Sequence, residues 1–406
     1  MLATPAHAQV PESELPADSA ERASGLRAYL ITLGPGPLVW ERFGHNALWI
    51  SDPENGVDLA YNWGMFSFDQ PGFLGRLLKG TMMYWMAPFE TQAMIDAYVA
   101  ADRSVWIQEL ALTDPQKAEL QGALATNALP DNRFYRYDYY LDNCSTRVRD
   151  ALDAVLDGRV RAALQGAPTG TTYRSHTRRL LQGMPSMYSG IQLVLSGRAD
   201  RPIDRWEEAF LPVRLMESVR DVRVVDEAGV ERPLVSSERE VHRSLSVSEP
   251  ESAPRAWPWY LVIGAALAGG LLALSGASAG WARVPLALLG SAWSAAAGLA
   301  GIVLVGAWLF TDHVFWYPNW NLLQVNPFSV ALAVMLVPLL LRPRPSRAAV
   351  VLAVAVGALS VIGLVVHFVP GVAQRNGDIL ALTVPLNVGL AAALLRMRGR
   401  EVAAPR

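Results

Sequence analysis

Between Leu26 and Val235 the chain changes repeatedly from two-residue alternation to helical spacing. LRAYLITLGPG (26–36) starts as a strand and ends in a Gly/Pro turn. ERFGHNALWISD (41–52) alternates, with Phe43, His45, Ala47 and Trp49 on one face and Gly44, Asn46, Leu48 and Ile50 on the other. DLAYNWGMF (58–66) is a second such strand and sets Tyr61 and Trp63 opposite Asn62. GFLGRLLKGTMMYWMAPF (72–89) is apolar and aromatic, with Arg76 and Lys79 among the leucines. The stretch 89–128 predicts helix, strand, helix, and in the last piece Thr113 caps while Pro115 opens the helix. RFYRYDYY (133–140) is strand-like. The helix after it starts at Cys144 and turns Val148, Leu152 and Val155 inward. DVRVVDEAGVERPLV (221–235) is a hairpin about Ala228-Gly229, and the Ser-, Glu- and Pro-rich 236–257 reads as a linker with a solvated His242.

Beyond Arg255 the pattern changes to unbroken apolar runs: 258–280, 285–310, 327–341, 348–369 and 379–395. A helix needs about 20 apolar residues to cross the hydrocarbon core. The third and fifth runs reach that length with their flanks. Frequent Gly and Ala inside them suit close helix packing in lipid. Arg283, then Arg342, Arg344 and Arg347, then Arg396, Arg398 and Arg400 all fall on one side if the spans alternate. That side is cytoplasmic by the positive-inside rule, which puts the N-terminal domain and the loop 311–326 outside.

Composition sharpens this division. Hydrophobic residues are 51% of the chain and charged ones 18%, but beyond Arg255 only Asp312, Asp378 and Glu401 are acidic. A net charge of −2 and no basic stripe with interleaved aromatics argue against a nucleic-acid partner. Ala6-His7-Ala8 has the form of a signal-peptidase site, so the start reads as a signal-peptide remnant. The expected layout is leader 1–25, soluble α+β domain 26–220, hairpin and linker 221–257, an all-α bundle of about five transmembrane helices over 258–396, and a cytoplasmic tail 397–406.

Cys144 is the single cysteine of 406 residues, so no disulfide framework exists. A helix start offers unpaired N–H groups and partial positive charge, which favours a thiolate nucleophile. Asp142 or Asn143 is placed to cap that start. His45 is the best imidazole partner, mid-strand behind Gly44, and Asn62 is the best group to orient it, with Asp58 behind. A free cysteine as a small buried hydrophobe and His45 as a satisfied core histidine are the competing readings. His176 and the arginines near it, Arg174, Arg178 and Arg179, read as surface. Cys144 with five scattered histidines has no zinc-ligand spacing, so neither metal nor cofactor is expected.

FGHNALWI, AYNWGMFSF and YYLDNCSTRVRDAL resemble the family of Lnb N-terminal periplasmic domains. TTYRSHTR (171–178), DRWEEAFLPVRL (204–215) and DHVFWYPNWNLLQVNPF (312–328) resemble further blocks of it. The resemblance implies a permuted papain-like soluble domain with the His strand before the Cys helix. It also implies a lipoprotein N-acyltransferase in the bacterial inner (cytoplasmic) membrane with its catalytic domain in the periplasm. A phospholipid is then the acyl donor and a diacylated lipoprotein the acceptor, with a Cys144 thioester between them. On that reading, N–H groups at the Cys144 helix start and the Asn143 side chain stabilise the oxyanion. The 72–89 stretch dips into the interface or walls an acyl groove, with Arg76 on a lipid phosphate, unless it is ordinary core. The loop residues His313, Asn319, Asn321, Asn326, Trp316 and Trp320 are expected to bind headgroup or lipoprotein backbone, although an interfacial belt alone accounts for the tryptophans. His367 is a weaker candidate. The same Cys/His pair equally serves a periplasmic lipase or cell-wall peptidase, and the fold without catalysis would make a scaffold.

Overall fold

The computed structural model describes residues 25–278, 280–371 and 374–399. The leader, its Ala6-His7-Ala8 site and Arg400 lie outside the described residues. The strands are β1 (Arg27–Leu33), β2 (His45–Asp52), β3 (Val57–Met65), β4 (Met83–Glu90), β5 (Val105–Leu110), β6 (Phe134–Arg136), β7 (Pro168–Thr172), β8 (Pro202–Asp204), β9 (Arg223–Val225), β10 (Glu231–Pro233) and β11 (Val235–His242). The helices of the sheet-bearing unit are α1 (Phe73–Lys79), α2 (Thr91–Ala100), α3 (Asp114–Ala128), α4 (Cys144–Val155), α5 (Arg159–Leu164), α6 (Tyr173–Leu180), α8 (Arg205–Glu208) and α9 (Pro212–Val219), while α7 (Pro185–Val194) belongs to the apolar unit below.

Seven strands form one antiparallel sheet in the order β11-β5-β1-β2-β3-β4-β6. Alternation along β2 explains its two faces. Leu48 and Ile50 join the larger core, which α3, α4, α5 and α9 close with Leu120, Val148, Leu152, Val160 and Leu215. Ala47 joins a smaller core on the opposite face, where α2 supplies Met94 and Ile95. The soluble fold is thus α+β, with α4 on one side of the sheet and α2 on the other.

Several sequence expectations need correction. The 236–257 stretch is no plain linker, because Val235–His242 adds to the sheet beside β5. An edge strand exposed on both faces carries Ser, Glu and Arg, so its composition imitates a linker. His242 is half-buried, with Nε2 3.0 Å from Asp102 Oδ1. Only Phe134–Arg136 of the 133–140 stretch is strand. Arg174, His176 and Arg179 are buried, not surface. His176 Nε2 lies 2.8 Å from Glu208 Oε1, and Arg179 pairs with Glu249 at 2.5 Å. Paired charges inside a helix look like a charged face when read without their partners.

The second unit gathers 182–201 with the chain from Ser252 onward. It holds α10 (Trp257–Gly276), α11 (Arg283–Phe310), α12 (Phe328–Leu336), α13 (Arg347–Val366) and α14 (Gly377–Gly399). Among the described residues, five helical stretches have the length and apolar character to cross a membrane: Trp257–Gly276, Gly280–Phe310, Trp320–Leu340, Arg347–Val366 and Gly377–Gly399. The third is composite, since 3₁₀ turns at Trp320–Leu323 and Val337–Leu340 flank α12. The hydrogen bonds of Gln324 hold the bundle internally. Its Nε2 donates to Ser360 O (3.0 Å), and its Oε1 accepts from Thr383 Oγ1 (2.9 Å). Asn387 Nδ2 donates to Gln324 O at 3.0 Å, while Asn387 Oδ1 accepts from Trp293 Nε1 at 2.8 Å. Such side-chain bonds tie helices together where lipid provides no hydrophobic drive between them.

Candidate active site

Helix α4 starts where its first N–H groups find side-chain acceptors. Asn143 is extended (φ −121°, ψ −174°). Its Oδ1 accepts from Ser145 N (2.9 Å) and Thr146 N (3.0 Å), and Asn143 N donates to Thr146 Oγ1 (2.8 Å). Its Nδ2 is spent on Tyr139 O (3.1 Å) and Phe210 O (3.0 Å). Asn143 is therefore the cap, and its amide has no donor left for an oxyanion. Asp142 does not cap. It holds Arg147 through two bonds of 2.5 and 2.6 Å.

Cys144 is partly exposed at the first turn. The backbone N–H groups of Asn46, Ser145 and Cys144 itself turn toward its sulfur. Burial nevertheless outweighs them and the nearby Arg103 charge, so the thiol is pushed up from its ordinary value. This reverses the expectation of a thiolate favoured by the helix start. The residues that follow Cys144 and His45 are joined directly: Ser145 Oγ reaches Asn46 Oδ1 at 2.8 Å. Asn46 Nδ2 in turn donates to Thr32 Oγ1 at 2.8 Å. Asn46 and Ser145 are both fully buried, so this bridge fixes the α4 start against β2.

His45 opens β2 behind Gly44. The glycine has φ +81°, and a Cβ there would stand 2.8 Å from Leu33 O, so only glycine lets β2 begin at this point. His45 Nε2 lies 2.9 Å from Asn62 Oδ1. Asn62 Nδ2 donates to Ala60 O at 2.9 Å, which turns Oδ1 toward the ring. Nε2 therefore carries the proton, and Nδ1 is left as the acceptor. Burial pushes the imidazole down to about 4, with Asn62 working against that and the Arg103 charge adding to it. At neutral pH the pair is a neutral thiol and a neutral imidazole. Asp58 is not behind Asn62: it accepts from Trp49 Nε1 at 2.5 Å.

Strand alternation puts His45 and Asn62 on the α2 face of the sheet and α4 on the other. The Ser145–Asn46 bond joins the α4 start to the His45 end of β2, where the β2–β3 ladder stops at Leu48↔Tyr61 and β3 bulges between Asn62 and Met65. Gly64, inside that bulge, has φ +95°, and Cys144 Cβ lies 3.5 Å from where its Cβ would be. Sequence reasoning missed the groups around this junction. Tyr98 stacks over His45 (6.4 Å, 8°). Arg103 lies over the Tyr98 ring at 4.8 Å and donates to Gly34 O at 2.8 and 3.0 Å. An asparagine on the apolar Leu48/Ile50 face of β2 was the one readable signal, since a buried polar group needs a partner.

Residues 18–179 match the Lnb N-terminal periplasmic domain. Residues 279–396 match the Lnb transmembrane domain. Together the two matches cover more than half of the chain.

The chain belongs to the Lnb family.

No curated protein and no solved structure was found to match it. Like both Lnb domains, it joins a periplasmic domain to apolar helices, so it is a multi-pass membrane protein. The Lnb family points to lipoprotein maturation as the setting of its activity.

The remaining candidates fall elsewhere. Helix α1 has no buried residue; Leu74 and Leu78 are 65% and 64% exposed, and Arg76 and Lys79 lie in its last turn. In the Lnb transmembrane unit, Asn319 and Asn321 are buried. Asn319 Nδ2 donates to Val194 O (2.8 Å) and Asn321 Nδ2 to Leu193 O (2.8 Å). Gln374 Nε2 donates to Leu195 O (2.9 Å). These amides satisfy the open carbonyls at the end of α7, the task that every helix C-terminus sets. Asn326 is buried, and neither atom of its amide has a hydrogen-bond partner among the described residues. His313 stacks on Trp316 at 4.3 Å, and Trp320 is 38% exposed. His367 Nδ1 lies 2.9 Å from Gln374 O.

Proposed function

We propose that this protein is a thiol-dependent lipoprotein N-acyltransferase of the bacterial inner membrane. The observation that carries this reading is a helix-start cysteine whose neighbour Ser145 bonds to Asn46, the residue after the Asn62-paired His45, in a chain with five membrane-length helices among the described residues. The soluble domain on this reading is papain-like in permuted order, with His45 ahead of Cys144. The donor is a phospholipid and the acceptor a diacylglyceryl-modified lipoprotein cysteine.

The first half-reaction forms a thioester. His45 Nδ1 takes the Cys144 proton as sulfur bonds to the ester carbonyl carbon. The carbonyl electron pair moves to oxygen, where the Cys144 N–H meets it. Collapse returns that pair and breaks the bond to the glycerol oxygen, which leaves with the imidazolium proton as a lysolipid. In the second half-reaction the acceptor's α-amine attacks the thioester, His45 takes one amine proton, and sulfur leaves and recovers a proton. The product is an N-acylated lipoprotein. The exposed leucines of α1, with Arg76, are the part of the soluble domain suited to meet acyl chains and a lipid phosphate.

Incubating the purified protein with phospholipid and a diacylated lipopeptide, and weighing the products, tests the proposal. One acyl group added to the peptide amine, and lost in Cys144→Ala, supports it. Free fatty acid as the sole product makes the protein a lipase, cleaved peptide with intact lipid makes it a peptidase, and an unaffected Cys144→Ala variant makes it neither.

A further inference from the structure

Tyr135 on β6 is 6% exposed, and its hydroxyl is buried with no hydrogen-bond partner among the described residues. Buried hydroxyls nearly always find a partner, so this one marks a place where a partner arrives. The hydroxyl lies 4.0 Å from the point where a Gly64 Cβ would stand, and Cys144 Cβ lies 3.5 Å from the same point. Gly64 thus leaves a methyl-sized hollow with the thiol's carbon on one side and a phenol on the other. The ring is held from behind: the Arg147 guanidinium sits 4.4 Å over it, and Asp142 grips Arg147 with both oxygens.

We propose that the Tyr135 hydroxyl donates a hydrogen bond to the oxyanion formed at Cys144. The proposal rests on the acyl-transfer reading above. When sulfur bonds to the carbonyl carbon, the electron pair displaced onto oxygen creates a charged acceptor beside the hollow. The phenol keeps its proton throughout and only points it at that oxygen. When the pair returns to carbon and the glycerol or thiolate leaves, the hydroxyl is again without a partner. The interaction therefore exists in the transition state and not at rest, which is the kind that raises kcat. Burial pushes the phenol well above its ordinary value, so it is a neutral donor at any working pH. The arrangement also gives Asp142 a role: it positions Tyr135 through Arg147.

Tyr135→Phe keeps the ring under Arg147 and removes a hydroxyl that bonds to nothing at rest, so the variant should melt at the wild-type temperature or above. Its kcat for acyl transfer from phospholipid should fall about 100-fold, with KM little changed. Alkylation of Cys144 by iodoacetamide passes through no oxyanion and should keep its wild-type rate. Loss of acylation with intact alkylation is the supporting result. An equal loss of both means that the ring only shapes the thiol's surroundings, and full activity in Tyr135→Phe beside an inactive Cys144→Ala means that the hydroxyl does nothing; either outcome overturns the proposal. A fully active Cys144→Ala would instead overturn the acyl-transfer reading itself.

Discussion

The pair at the centre of the site is set up as two neutral groups, and that has measurable consequences. Because burial raises the Cys144 thiol, its alkylation rate should rise through one step above the ordinary cysteine value. A rate already at its plateau at pH 7 would mean that an imidazolium–thiolate pair forms instead. His45 is held at about 4 against 6.5 in a free side chain. The unfolded chain therefore binds the extra proton first as pH falls, and stability should drop from about pH 6.5 to about pH 4 and stay level above that range. The drop amounts to about 3 kcal/mol at ~1.36 kcal/mol per unit. Melting temperatures of wild type and His45→Asn between pH 7 and pH 4.5 check this; parallel curves would show that the imidazole is not the source. Asn62→Ala leaves the Nε2 proton without its acceptor, and it should lower kcat about tenfold or more while KM holds.

At the scale of elements, the site depends on how α4 begins. Asn143 accepts from two N–H groups of the first turn and donates to two carbonyls from other segments. Asn143→Ala removes the cap and strands Tyr139 O and Phe210 O. The expected cost is about 2–3 kcal/mol in a denaturant or thermal melt. A loss below about 0.5 kcal/mol would mean that the helix start is held by something else. Gly64 illustrates the opposite demand, since its φ of +95° is a backbone conformation that side-chain-bearing residues rarely adopt. A bulge in β3 and a cap on α4 have to coincide for thiol and imidazole to share one end of the sheet.

For the molecule as a whole, the arginine pattern and the periplasmic family domain put Cys144 outside the cytoplasm. With one cysteine in the chain, labelling is unambiguous. A membrane-impermeant maleimide should label Cys144 in intact spheroplasts. Labelling that needs detergent would reverse the orientation.

How much of this was legible in the sequence depended on whether a feature is local. Alternation along 41–52 and 58–66, the helix start at Cys144 and the five apolar runs depend on neighbours in the chain, and they were readable. So was the His45–Asn62 pair, because both strands announce which way each side chain turns. Interactions that need a distant partner were not readable. The charged strand Val235–His242 looked like a linker until β5 lay beside it. Arg174, His176 and Arg179 looked solvated until Glu208 and Glu249 met two of them. Asn319 and Asn321 looked like ligand groups until the end of α7 took their amides. The sequence by itself determined the two groups proposed for the chemistry: the single sulfur, at a helix start, and the His45 imidazole on a strand. Only the tertiary structure decided their protonation, because burial and the Arg103 charge come from segments far along the chain, and desolvation here outweighs the helix start.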